Sequence, residues 1–197
     1  MYEGATEDYV IKRILEALKI YMPKSGLTLH NAEGADNLLN NFDSFFELAK
    51  HEAIDGFVII DQDKKFIGDE LVRKGSVKED MVIVWDNDFE LENFGIEKMV
   101  DVVNNVLKSK SAKTILISEI KSKMDQNNIM LMNAISDEVR KQNGVKLDDF
   151  VSKKKLATII FEPRAIEIEK EFETQWIPRL PIEKKLQALF KKYPHYM

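Results

Sequence analysis

Two short apolar runs, each ending abruptly on an Asp-x-Asp triplet, constrain this chain more than any other feature. Phe57-Val58-Ile59-Ile60 stops at Asp61-Gln62-Asp63, and Met81-Val82-Ile83-Val84-Trp85 stops at Asp86-Asn87-Asp88. Apolar runs of this length, rich in β-branched residues and flanked by helical patterns, predict buried strands of a parallel sheet. Acids at such strand ends fall on the edge where open α/β sheets place their sites.

Helical spacing surrounds these runs. Val10, Ile11, Ile14, Leu15 and Leu18 predict a helix from Thr6 to Tyr21, closed by Pro23 and Gly26. Leu27-Thr28-Leu29 is a short strand candidate. Asp43 caps an expected helix to Glu52, and Phe66 to Val72 is another, closed by Gly75. Ile96 to Leu107 follows. Beyond it the pattern is helical only: Thr114 to Gln142 with a break near Asp125–Asn128, then Lys153 to Ile160 and Ile182 to Lys192. Pro163, Pro178 and Pro181 are expected to mark bends. Met124, Met130 and Met132 are read as core, and Phe172 and Trp176 as packing for the last helices. The expectation is an α/β Rossmannoid parallel sheet flanked by helices over residues 1–110, with a helical extension over residues 111–197.

Composition removes several chemistries. The chain has 197 residues, 44% of them hydrophobic, so it can bury a sizeable core. It has no cysteine, hence no disulfide, thiolate metal site or cysteine nucleophile. No apolar run long enough to span a bilayer occurs and no N-terminal signal pattern is visible, so a cytoplasmic setting is expected. His30, His51 and His195 lack metal-ligand spacing, and there is neither a phosphate-cradling P-loop nor a nucleophile elbow. The net charge of −5 is unevenly spread. Residues 1–107 hold 22 acids against 11 bases, whereas residues 108–155 hold 11 bases against 6 acids. An acidic half suits hard cations; the basic segment from Lys108 to Lys123 suits phosphates.

Four constellations carry possible chemistry. In Glu3-Gly4-Ala5-Thr6-Glu7-Asp8, glycine permits a sharp turn into the helix, while Glu7 and Asp8 favour its positive end. Glu3 lies before the helix and is not needed as a cap. If the strand stays extended, Asp61 and Asp63 point the same way toward one ion. Asp86, Asp88, Glu90 and Glu92 alternate, which would align them on one side of an extended segment; Glu92, beside Leu91 and Phe94, is the preferred ligand. Lys153, Lys154 and Lys155 offer charge to a phosphate or form a solvated face. A buried strand ought to precede Glu3-Gly4, yet only Met1 and Tyr2 do, so a longer parent protein is expected, the alternative being a sheet one strand smaller.

In this order the motifs resemble a Toprim domain, and most closely that of the OLD family (overcoming lysogenization defect). Glu3-Gly4-Ala5-Thr6-Glu7 resembles its EGxTE opening. Asn31-Ala32-Glu33-Gly34 resembles its NAGG turn, with Glu33 where glycine is usual. Glu90-Leu91-Glu92-Asn93-Phe94 resembles ExENY, and Lys153-Lys154-Lys155-Leu156-Ala157 resembles KxxLA. Gabija-type anti-phage nucleases share this architecture. The resemblance implies a DNA endonuclease or nickase with two Mg²⁺ or Mn²⁺ ions about 4 Å apart. Glu3, Glu7, Asp61, Asp63 and Glu92 would hold them, with Glu3, Asp61 and Lys153 catalytic. It also implies DNA as substrate, an ATPase domain in the same protein or complex, and a homo-oligomer. The alternatives are a non-catalytic interaction module of a defence complex and, last, a phosphohydrolase with Asp61 as nucleophile. Lys64 after Asp63 departs from what the phosphohydrolase would need.

Overall fold

A computed structural model describes residues 2, 4–22, 29–32, 37 and 57–192. The expected helix over 43–52, residues 27 and 28 of the expected strand, and Glu3, Glu33, Gly34, His51 and His195 lie outside them. The chain forms two compact units, Met1–Asp8 with Thr28–Phe89 and Tyr9–Leu27 with Glu90–Met197.

The first unit is built on parallel pairing. Strand β1 (Val58–Ile60) pairs with β2 (Val82–Val84) in the register Val58↔Val82, Ile59↔Ile83 and Ile60↔Val84. Tyr2 adds a rung on the other side of β1, bridged in parallel to both Ile59 and Asn31. Its N–H donates to the His30 carbonyl at 3.1 Å, and its carbonyl accepts from Ala32 at 2.9 Å. The order across the sheet is therefore Asn31, Tyr2, β1, β2. One residue supplies the rung that the sequence seemed too short to provide.

Helix α2 (Lys65–Arg73) makes the crossover between β1 and β2 and buries Ile67, Gly68 and Leu71. Gly68 lets the helix approach the sheet. A Cβ there would stand 2.8 Å from Val82 Cγ1 and 2.9 Å from Ile60 Cδ1. In an open helix, Gly→Ala gains about 1 kcal/mol. Here overpacking, typically about 1–3 kcal/mol, opposes it. Gly68→Ala is expected to lower the urea midpoint; a raised midpoint would show that the contact relaxes freely.

The second unit is helical. Helix α1 (Ala5–Ala17) begins in the first unit, and from Tyr9 onward it belongs to the second. It ends before the expected Tyr21, because Lys19 turns left-handed at φ 54°. Helix α3 (Phe89–Ser109) starts earlier than expected and is interrupted at Gly95, whose φ of 74° and ψ of 163° no helix tolerates. Helices α4 (Ile117–Asn127) and α5 (Leu131–Asn143) flank the expected break, set by Asn128 at φ 49°. Helices α6 (Lys153–Phe172) and α7 (Pro181–Lys192) complete the unit. The core gathers Ile14, Val103, Ile135, Phe161, Ile182 and their neighbours. Met124, Met130 and Met132 are only half-buried, and Phe172 is exposed, its ring under the Lys19 ammonium.

Pro163 does not bend the chain out of its helix as expected; it lies inside α6. Proline deletes a helical hydrogen bond at a cost of about 3 kcal/mol. Its neighbours are held from outside the helix. Glu162 accepts from the Tyr9 hydroxyl at 2.7 Å and from Arg13 at 2.9 Å. Arg164 grips Glu183 with two hydrogen bonds of 2.8 and 2.7 Å. It also reaches Glu171 at 3.0 Å and the Ile177 carbonyl at 2.9 Å.

These pairs tie stability to pH. Arg13 holds the Glu162 carboxyl below its ordinary range, and Arg164 does the same for Glu171. Burial pulls Glu138 upward, but Gln142, Lys123 and Lys141 outweigh it and leave it lowered. Carboxyls lowered in the folded state bind fewer protons there than in the unfolded chain. Their contribution is complete above the ordinary glutamate value and lost as pH falls through the lowered ones. The urea midpoint is expected to be flat from neutrality to about pH 5 and to fall below about pH 4.5. A midpoint unchanged at pH 3.5 would contradict that linkage.

Candidate metal centre

Parallel strands discharge their C-terminal ends on one edge of the sheet. Because Tyr2 is in register with Ile59, the chain leaves Tyr2 and β1 at that same edge. There it meets acids. Asp61 is the last extended residue after β1, at φ −77° and ψ 160°, and is half-buried. Its Oδ1 accepts the N–H of Phe89, the first residue of α3, at 3.0 Å. The Gln62 N–H donates to the Asn87 carbonyl at 3.1 Å, so the ends of β1 and β2 are stitched together beside the carboxylate.

Glu7 comes from the first turn of α1. It is 4% exposed, and its Oε2 lies 2.5 Å from where a Cβ on Gly4 would stand. Any side chain at position 4 would displace that carboxylate, which gives the Glu-Gly pair a steric meaning beyond turning. Asp8 anchors the same turn by accepting the Tyr2 hydroxyl. Burial first, then the bond to Asp8 and the charges of Asp8 and Glu7, drive the Tyr2 phenol far above its usual value. It remains a neutral donor at any working pH.

Two expectations about geometry are corrected. Asp61 and Asp63 do not share a direction along an extended strand, because Gln62–Lys64 closes into a 3₁₀ turn. Asp63 is 46% exposed and pairs with Lys64 at 3.2 Å. Nor do Glu90 and Glu92 alternate along a strand; they occupy the first turn of α3, where acids suit the positive helix end. Both are half-buried and belong to the second unit, as does Lys153.

Lys153 is exposed and opens α6 behind Ser152, whose hydroxyl accepts the Lys155 N–H at 3.3 Å. Three lysines in a helix's first turn oppose the dipole instead of complementing it. The arrangement concentrates positive charge where an anionic group would be welcome.

Asp88, which the sequence ranks behind Glu92 in the same acidic row, is 2% exposed. Its neighbours Asn87 and Phe89 are the residues bonded to Gln62 and Asp61. The repeated Asp-x-Asp at the end of the second apolar run was the available signal.

Among the described residues no three acids or histidines converge closely enough to hold an ion. The donors that are present, a buried Glu7 carboxylate cradled at Gly4 and a half-buried Asp61, are hard oxygens of the kind Mg²⁺ and Mn²⁺ take. The residue types fit such a cation.

Residues 1–63 match the family model described as overcoming lysogenization defect protein-like, TOPRIM domain, and the match ends on Asp63. No curated protein and no solved structure matches the chain. Over this stretch the chain is similar to Toprim domains of the OLD-like type. Toprim domains typically bind divalent metals and serve nucleic-acid-cleaving or related enzymes. No described helix is long and apolar enough to cross a membrane.

Proposed function

We propose that the chain is a Mg²⁺- or Mn²⁺-dependent DNA endonuclease or nickase domain of the OLD type, working in the cytoplasm with an ATPase domain of the same protein or complex. What supports the reading most is one register: Tyr2 beside Ile59, with Gly4 and Asp61 each two residues past that pair on the same side of the sheet. The Toprim match over both motifs agrees with it.

Glu3, Glu7, Asp61, Asp63 and Glu92 are the proposed metal ligands, and buried Asp88 is a sixth acid to weigh with them. When bound, divalent ions supply a more acidic water and neutralise charge on a phosphodiester. Within the protein, the Phe89 N–H fixes one oxygen of Asp61, and Gly4 makes room for the Glu7 carboxylate. Lys153 offsets the negative charge that grows on the phosphate as the water oxygen bonds to phosphorus and the ester P–O bond breaks. The departing oxygen leaves with a proton.

Supercoiled plasmid incubated with the chain and Mn²⁺ is expected to be nicked or linearised. Cutting should cease on chelation and in Asp61→Asn. Undiminished cutting in that variant would overturn the reading.

A further inference from the structure

The basic run that begins at Lys108 is not uniform. Lys121 reaches Glu97 at 3.0 Å, and Lys123 reaches fully buried Glu138 at 3.2 Å. Lys141 of α5 is shared between Glu119 and Glu138, at 3.6 Å from each. Those cations serve the fold. Lys108, Lys110 and Lys113 are exposed, and no ion pair among the described residues holds them.

Lys108 stands in the last turn of α3, and the loop after it, which carries Lys110 and Lys113, is clamped from both sides. Asn104 of α3 accepts the Ile115 N–H at 2.8 Å and donates to the Ile115 carbonyl at 3.0 Å. Asn143, the last residue of α5, accepts the Lys113 N–H at 2.8 Å and donates to its carbonyl at 3.0 Å. Each asparagine thus imitates a backbone partner for alternate loop residues. The second clamp sets Lys113 against the end of α5, where exposed Arg140 and Lys141 stand and, past Gly144, exposed Lys146. Acids on neighbouring residues are engaged: Glu119 and Glu138 by Lys141, and Asp149 by the Lys146 N–H at 2.9 Å.

Helix-end cations complement the dipole, which accounts for Lys108 and Arg140. It does not account for Lys110, Lys113 and Lys146, which lie beyond the helices, or for the rigid hold on the loop. Cations on a pre-ordered loop lose little backbone entropy when they meet a polyanion. Both flanking asparagine amides are committed to the loop backbone, so they cannot read bases.

We infer that Lys108 at the end of α3 and the loop of Lys110 and Lys113, continued by Arg140 and Lys146, form a sequence-independent docking surface for the phosphate backbone of duplex DNA. The inference takes its polyanion from the nuclease reading but stands on a different part of the chain. Phosphate contacts of this kind position a duplex without selecting its sequence.

The test is binding of the full chain to a short fluorescein-labelled duplex in EDTA, followed by anisotropy across a salt series. The triple variant K108Q/K110Q/K113Q should bind at least about tenfold more weakly at low salt. Its log Kd against log salt slope should be shallower by about 0.9 per lost contact, up to about 2.7. K170Q/K184Q/K191Q, on exposed positions of α6 and α7, changes net charge equally and should bind nearly as wild type does. Equal weakening in both triples would overturn the proposal, as would no effect in the first. A wild-type chain that binds polyglutamate and not duplex would overturn it in favour of an acidic protein partner. If binding behaves as stated and the wild type still cuts nothing, the docking surface stands and the nuclease reading falls.

Discussion

Arg164→Ala is expected to destabilise the helical unit by about 3–5 kcal/mol, the range for removing one partner of a buried ion pair. Arg164 is 7% exposed and Glu183 is not exposed at all. Their two hydrogen bonds, with those to Glu171 and the Ile177 carbonyl, satisfy a guanidinium that is nearly all buried. The pairing with Glu183, opposed by burial and reinforced by Glu171, raises the Arg164 pKa further, so the group is always charged. The alanine leaves the Glu183 carboxylate buried and without its cation. Arg179 does not replace the lost grip: its guanidinium pairs with Glu167 and Glu171, and only its backbone N–H reaches Glu183. Urea unfolding followed by circular dichroism measures the loss. A second variant, Arg164→Met with Glu183→Leu, should recover much of it, since paired removal of buried charges is often neutral. A loss below about 1 kcal/mol for Arg164→Ala would mean that the cluster is solvated like a surface pair.

Asp61 yields the other large effect, and two substitutions separate its duties. Asp61→Asn keeps an oxygen to accept the Phe89 N–H but loses the anion. Asp61→Ala loses both. Metal-dependent cutting is expected to fall at least about 100-fold in each, since even outer-shell partners of metal ligands cost about 10- to 100-fold. Stability should separate them: the alanine loses about 1 kcal/mol as a helix start is uncapped, and the asparagine much less. Initial rates on plasmid, with unfolding curves for the same preparations, decide the matter. An asparagine variant that cuts at the wild-type rate under saturating Mn²⁺ would remove Asp61 from the chemistry.

Much of the framework was legible in the residues. The run Val58–Ile60 is too apolar to be anything but buried, and β2 and the α4–α5 break fell where the pattern put them. Toprim recognition from the EGxTE and Asp-x-Asp motifs agrees with the match over residues 1–63. What escaped had local causes. The bridge residue Tyr2 stands next to the start of the sequence, where no periodicity can be read. Glu90 and Glu92 looked like an extended row because Gly95 hides the helix that contains them. Pro163 reads as a break in any sequence, and only the distant partners of Glu162 and Arg164 overrule it. The 3₁₀ turn after Asp61 was invisible for a different reason: Gln62-Asp63-Lys64 is as acceptable to a strand end as to a tight turn.

One consequence follows from the bond between the Asp61 carboxylate and the Phe89 amide. That amide proton is a built-in gauge of the oxygen it touches. Anything that draws the carboxylate away loosens the first turn of α3 and speeds the proton's escape to solvent; anything that pins the carboxylate in place slows it. Isotope exchange at a single backbone site would then tell an empty rim from a filled one, with no substrate in the tube.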